Sequence, residues 1–136
     1  YAGSSSGSSI LYTNLQACSN PLLASGSSTG EIKVWEPRAG AHAHLSSIST
    51  HKSGLSTMAL HPTVPILASG SRNQFIKLFD LSSLRESGQA RELSTIRYFD
   101  GFLGARIGPV TTLNFHPKKV LLGVGATDSV VSIYSA

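Results

Sequence analysis

A short pattern recurs along this chain at a fixed spacing. Leu-Ala-Ser-Gly-Ser occupies residues 23–27 and again residues 67–71, which is an offset of 44 residues. Each copy leads into a second short apolar stretch that ends on an aromatic residue, Trp35 in the first copy and Phe79 in the second. A period of about 40–45 residues is typical of a four-stranded propeller blade, because one blade is one structural unit of that length.

A third, weaker copy follows after a wider spacing. Residues 122–126 repeat the small and apolar pattern, and Tyr134 takes the place of the closing aromatic residue. A His-Pro pair recurs with the same wider spacing, at His61 and His116. The chain is therefore predicted to be all-β and to contain about three consecutive propeller blades. The predicted units are 10–36, 44–81 and 94–136.

The second unit shows the strand pattern most clearly. Residues 55–60 alternate with period two, and 66–71 and 75–81 follow as strands separated by turn residues. Residues 44–49 are expected to form the outer strand of this unit. The polar segment 82–92 is expected to be a loop with room for one helical turn.

Length and charge narrow the classes of function. A closed propeller needs roughly four to eight blades, so 136 residues are expected to be part of a longer protein. The net charge is +4, but the basic residues are scattered and only Lys118 and Lys119 are adjacent. A nucleic-acid groove would need a basic stripe with interleaved aromatic residues, so no nucleic-acid partner is expected. No apolar run approaches the length of a membrane span, so no membrane insertion is expected.

The sequence gives little evidence for a catalytic site, a metal site or a disulfide. The seven acidic residues show no pairing in sequence, so no catalytic residue is predicted. His42 and His44 have the spacing of metal ligands, but only Glu36 lies near them as a further ligand. A metal site needs three or four ligands, so we predict neither a metal nor any other cofactor. The single cysteine, Cys18, has no internal partner for a disulfide.

Residues 51–81 resemble the WD repeat, in which His, Ser, Asp and Trp side chains form a hydrogen-bonded network inside each blade. No blade of this chain keeps the whole network. The resemblance assigns a structural role in the repeat to six positions in particular. They are Trp35, His51, Ser69, Phe79, Asp128 and Tyr134. Aligned by position, the first blade also offers Ser25 and Thr29, the second Asn73, and the third Arg106 and Val124.

A narrower resemblance is to the C-terminal WD-repeat region of the Raptor family, regulatory scaffolds of target-of-rapamycin (TOR) complex 1. It is carried by residues 30–38, 68–75, 96–108, 115–117 and 132–135, and Tyr-Phe-Asp-Gly-Phe-Leu-Gly at 98–104 is its most specific piece. The resemblance implies a seven-bladed ring of which these are the last three blades. It also implies a non-catalytic scaffold in the cytoplasm that is recruited to the lysosome or vacuole surface. The implied partners are proteins, namely subunits and regulators of the TOR kinase complex.

The long connection between the outer and inner strands of the last predicted blade suggests a contact site. Phe102, Leu103 and Arg106 lie in it, and exposed loops on rigid scaffolds often carry binding residues. The alternative is that Phe102 and Leu103 pack under a neighbouring blade. Two other functions also stay open: a different WD-repeat adaptor, such as a ubiquitin-ligase substrate receptor, and a nucleic-acid-binding propeller. Steep salt dependence of binding would distinguish the last.

Overall fold

The computed structural model describes residues 10–15, 22–36, 46–49, 54–72, 75–97, 110–126 and 131–135. Within these residues the chain forms eleven strands and one short helix. The strands are β1 (Ile10–Leu15), β2 (Leu23–Ser27), β3 (Glu31–Trp35), β4 (Ser46–Ser49), β5 (Leu55–Leu60), β6 (Ile66–Ser71), β7 (Phe75–Asp80), β8 (Arg91–Arg97), β9 (Val110–Phe115), β10 (Leu121–Ala126) and β11 (Val131–Ser135). The helix α1 (Leu84–Ser87) lies between β7 and β8.

The described strands form three antiparallel sheets in chain order. Sheet one has the order β1-β2-β3-β4, sheet two the order β5-β6-β7-β8, and sheet three contains β9, β10 and β11. Within each sheet, every strand pairs with its neighbour in sequence, as in a meander. The prediction of an all-β fold built from propeller-type sheets is confirmed.

The outer strands lie in different sheets from those predicted. Strand β4 pairs with β3, with Ile48 opposite Ile32, so it completes sheet one and does not belong to the second unit. Strand β8 likewise pairs with β7, with Ile96 opposite Ile76. The predicted unit boundaries are wrong in this respect, and the three sheets span 10–49, 55–97 and 110–135. A repeat in the sequence defines a period without defining where a sheet begins, and an antiparallel strand pairs most readily with the strand just before it.

The three repeated aromatic residues lie at one register position. Trp35 is opposite Leu23, Phe79 opposite Leu67, and Tyr134 opposite Leu122. The Trp35 indole N–H donates a hydrogen bond of 3.0 Å to the Ser25 hydroxyl, which is two residues further along β2. This bond is part of the network that the WD-repeat resemblance implies, and it links the second and third strands of sheet one.

Apolar side chains fill the two spaces between the sheets. The first cluster lies between sheets one and two, and the second lies between sheets two and three. The most buried members of the first include Ala24, Ile32, Val34, Leu55, Leu67 and Phe79, and those of the second include Ala68, Ile76, Val110, Leu122 and Val124. Removing this surface from water is the main stabilising term, at about 25 cal/mol per Å² of apolar area.

Two glycines bring neighbouring sheets into close contact. A Cβ atom on Gly26 of β2 would overlap the Leu55 side chain, which begins the inner strand of sheet two. A Cβ atom on Gly70 of β6 would lie 2.8 Å from Val110 Cγ1, and Val110 begins the inner strand of sheet three. Leu55 and Val110 are both fully buried. At each of these two joints between sheets, an apolar side chain therefore packs directly against a glycine.

The packing of Val110 against Gly70, between sheets two and three, can be tested by substituting the glycine. We expect Gly70→Ala to destabilise the joint by about 1–3 kcal/mol, because an added methyl group overfills a packed core. The control is Gly123→Ala on the neighbouring strand of sheet three, where the nearest atom to an added Cβ is the Asn114 carbonyl oxygen at 3.7 Å. Hydrogen exchange of the β6 and β9 amides in the intact protein measures the effect. Equal exchange in the two variants would contradict it.

The hydrogen bond inside sheet one has a smaller expected effect. Trp35→Phe removes the indole N–H donor and should destabilise β2 and β3 by about 0.5–1.5 kcal/mol, the usual net value of one hydrogen bond. Amide exchange in these two strands measures the loss. Ser25→Ala added to the Trp35→Phe background should then cost little more. If the costs of the two single changes simply add, the bond does not contribute to stability.

Candidate interaction surface

Six predicted positions fall outside the described residues. They are the three candidate contact residues, Phe102, Leu103 and Arg106, and the repeat positions His51, Asn73 and Asp128. Trp35, Ser69, Phe79 and Tyr134 are described, and all four lie on strands inside the sheets. Ser69 is fully buried and Phe79 is 4% exposed, whereas Trp35 and Tyr134 are half-buried.

The strands that flank the candidate contact segment are firmly placed. Strand β8 ends at Arg97, which pairs with Phe75 at the end of the β7–β8 ladder. Strand β9 begins at Val110, which is fully buried against Gly70. The Ser56 hydroxyl donates a hydrogen bond of 2.6 Å to the Val110 carbonyl oxygen. Residues 98–109 therefore connect two strands that are each paired within a sheet.

His61 links the turn between β5 and β6 of sheet two to the turn between β9 and β10 of sheet three. Its Nδ1 accepts the backbone N–H groups of Thr63 at 3.1 Å and Val64 at 3.0 Å, so Nδ1 carries no proton. The proton is therefore on Nε2, which donates to the Lys119 carbonyl oxygen at 3.1 Å. The ring also makes an edge-on contact with Phe115, with ring centroids 5.3 Å apart.

His116 forms the same kind of turn in sheet three. Its Nδ1 accepts the N–H groups of Lys118 and Lys119 at 3.1 and 3.2 Å. The backbone bond from His61 to Ile66 recurs as the bond from His116 to Leu121. The two His-Pro turns therefore have the same local structure in successive sheets. The role of His61 in joining two sheets was not predicted, because its partner Lys119 is distant in sequence and lies in the next sheet.

The outer edge of sheet two is polar and charged. Strand β8 is exposed over most of its length, and Arg91 lies 4.0 Å from the Asp80 carboxylate. The Ser82 backbone N–H, which donates to Asp80 at 2.9 Å, lowers the pKa of this carboxyl group, with smaller contributions from the Ser82 hydroxyl and Arg91. Charge along an outer strand discourages unwanted pairing with other strands.

Large apolar side chains are exposed on sheets two and three. Val131 and Ile133 of β11 are 76% and 74% exposed, and Leu93 of β8 is 43% exposed. Val131 and Ile133 alternate with the half-buried Ser132 and Tyr134, so they lie together on one face of the sheet. The sequence predicted this strand but not its exposed face, because the two residues have the composition of buried strand positions.

The described residues show no arrangement suited to metal chemistry. No three His, Cys, Asp or Glu side chains in the described ranges lie close enough to hold a metal ion. In the same ranges, no helix is long and apolar enough to cross a membrane. The features that stand out are the close packing between sheets and two exposed apolar side chains on β11, Val131 and Ile133.

The WD domain, G-beta repeat family model matches residues 43–80. The raptor homolog of Dictyostelium discoideum is 44% identical over 115 residues, which cover 83% of this chain and 7% of that protein. Regulatory-associated protein of TOR 1 from Arabidopsis thaliana is 41% identical over 113 residues, which cover 83% of this chain and 8% of that protein. The chain therefore spans only a small part of the length of these relatives.

The fold is similar to that of a solved member of the same family. The crystal structure of Chaetomium thermophilum Raptor superposes with a TM-score of 0.77 at 26% sequence identity. The match covers 93% of this chain and 11% of that one. The repeat, the sheet architecture and the sequence identity agree, and the chain belongs to the WD-repeat region of the Raptor family.

Proposed function

We propose that the intact protein is a non-catalytic scaffold subunit of a TOR kinase complex, and that this region is a protein-interaction platform within it. The observation that carries the proposal is the 44% identity to a raptor homolog over 83% of the chain. A relative from Schizosaccharomyces pombe, target of rapamycin complex 1 subunit mip1, is 35% identical over 94% of the chain.

The roles of the polar groups support a platform without catalytic chemistry. Ser56 and His61 bind backbone carbonyl groups of the next sheet, and Trp35 and Ser25 bind each other. The Asp80 carboxylate accepts a backbone N–H in the turn before α1. Each of these groups stabilises the scaffold, so the protein acts by presenting surfaces to other proteins.

The proposed partners are other subunits of the kinase complex and proteins that regulate it. The protein works in the cytoplasm and reaches the surface of the lysosome or vacuole through protein partners. Nucleic acid is not a partner, because a net charge of +4 spread over separate positions makes no binding stripe. A ubiquitin-ligase substrate receptor is the less supported alternative, since the relatives above are named for TOR or Raptor.

Residues 98–107 are the proposed contact segment, because they carry the sequence most specific to the family. Replacing Phe102 and Arg106 together by Ala in the full-length protein should reduce co-purification with the TOR kinase or a regulator at least severalfold. Aromatic and arginine side chains are the usual anchors of such contacts. The matched control is Leu93→Ala with Arg91→Ala, which removes one apolar and one arginine side chain from an exposed strand of sheet two.

Amide exchange of β8 and β9 in the double variant distinguishes a contact role of the segment 98–107 from a packing role. The proposal expects the double variant to lose association while these flanking strands keep their protection. Unchanged co-purification would contradict a contact role for the segment. Lost association together with faster exchange in β8 and β9 would also contradict it, since the segment would then serve packing. Capture of a ubiquitin ligase in place of the kinase would favour the alternative adaptor.

A further inference from the structure

The two outer strands, β4 of sheet one and β8 of sheet two, differ in how their outer edges are protected. Each is the last strand of its sheet, and no other described strand pairs with its outer edge. In a strand at such an edge, every second residue points its backbone N–H and C=O groups away from the sheet. These groups can form hydrogen bonds with a further strand, so an edge is a site of strand addition unless something hinders it.

Strand β8 has two features that hinder strand addition. It carries the exposed charged residues Arg91 and Glu92. Its register with β7 shifts between Leu78 and Phe79, so the ladder is irregular there. Charged side chains and irregular pairing on an outer strand both oppose the approach of a further strand. The outer edge of sheet two is therefore poorly suited to pairing.

Strand β4 has neither of these features. Its sequence, Ser-Ser-Ile-Ser at residues 46–49, contains no charged residue and no proline. Its register with β3 is regular along all four pairs. Ser47 and Ser49 are exposed, and the Ser47 hydroxyl donates a hydrogen bond of 2.6 Å to the Glu31 carboxylate, which holds β4 against β3. The strand is about 13 Å long at a rise of roughly 3.3 Å per residue, so its edge suits one short segment.

A row of residues that crosses sheet one ends at Ile48 of β4. Gly26 is opposite Ile32, and Ile32 is opposite Ile48. Ile32 is fully buried, whereas Ile48 is half-buried and packs against the first apolar cluster. A strand added beside β4 would place one side chain next to Ile48, and an apolar side chain there would extend the row. Its two neighbours would lie beside the exposed Ser47 and Ser49, where polar side chains fit.

We infer that the outer edge of β4 binds an extended segment of another protein, which adds a fifth strand to sheet one. The segment pairs over about four residues, with an apolar side chain beside Ile48 and uncharged polar side chains beside Ser47 and Ser49. Main-chain hydrogen bonds hold the segment, and the contact with Ile48 sets its register. The inference rests on the proposed function as a protein-interaction platform, and it names the kind of segment that the platform binds.

The area of the edge favours a segment of a different subunit over a second copy of this chain. Two copies paired through β4 would share four residues on each side. A stable interface buries about 800 Å² per partner, which takes roughly 20–30 residues a side. A segment of a subunit that is also bound elsewhere needs no such area, because its pairing with β4 takes place within an assembly that already exists.

Amide exchange in the purified complex of the full-length protein with the TOR kinase tests the inference. The outward-pointing amides of β4 should exchange about tenfold more slowly in the complex than in the full-length protein alone, because added strand hydrogen bonds protect them. In the variant Ser47→Lys with Ser49→Lys this difference should disappear, since lysine on an outer strand opposes pairing. The inward-pointing amides, which bond to β3, report whether β4 stays in place.

The matched control is Ser94→Lys with Thr95→Lys on β8. Both residues are exposed, and Thr95 donates to the Glu92 carboxylate as Ser47 donates to Glu31. The control variant should keep the full difference at β4 between the complex and the protein alone. A cross-link then identifies the segment: with p-benzoylphenylalanine in place of Ser47, irradiation of the complex should join β4 to one uncharged segment of another subunit, located by mass spectrometry.

Equal exchange of the β4 amides in the complex and in the protein alone would overturn the inference and leave the proposed function standing. A cross-link within the same chain, or between two copies together with a dimer mass, would also overturn it, because the chain itself or a second copy would then cover the edge. Absence of the TOR kinase from the preparation of the unaltered protein would overturn the proposed function and this inference with it.

Discussion

The close approach of one sheet to the next at a glycine is the constraint on which the rest of the structure depends. Gly26 and Gly70 each admit a fully buried apolar side chain, Leu55 or Val110, at a distance that no Cβ atom would allow. This contact sets how near the sheets lie. The hydrogen bonds that Ser56 and His61 make to the next sheet, 2.6 and 3.1 Å long, require the sheets to lie at this spacing.

A scaffold of this kind suits presentation of loops to other proteins. Both joints bury apolar side chains, and the joint between sheets two and three also contains hydrogen bonds from Ser56 and His61 to backbone atoms. The long connection 98–109 joins β8 of sheet two to β9 of sheet three. Strand β9 begins at Val110, which packs against Gly70 of sheet two. Sheets joined in this way fit the proposed role of the protein in assembling a complex.

The local elements could be predicted from sequence, and the contacts between sheets could not. The inner strand Leu55–Leu60 and its neighbours appear as alternating apolar runs, so their existence and type follow from period two. The outer strand Ser46–Ser49 was assigned to the wrong sheet, because a repeat does not mark which neighbour a strand pairs with. The bond from Ser56 to Val110 joins residues far apart in sequence, and nothing in the local pattern marks such a pair. The candidate contacts Phe102, Leu103 and Arg106 remain predictions.

The most direct test of the glycine joint is a double-mutant cycle at the first joint, measured by amide exchange of β2 and β5 in the intact protein. Gly26→Ala should destabilise through overlap with Leu55, and Leu55→Ala should destabilise by about 2–5 kcal/mol through the cavity it leaves. If the two residues form one seat, the double variant should be more stable than the sum of the single changes predicts, by about 0.5–3 kcal/mol. Strictly additive costs would contradict the account, because Gly26 and Leu55 would then act independently.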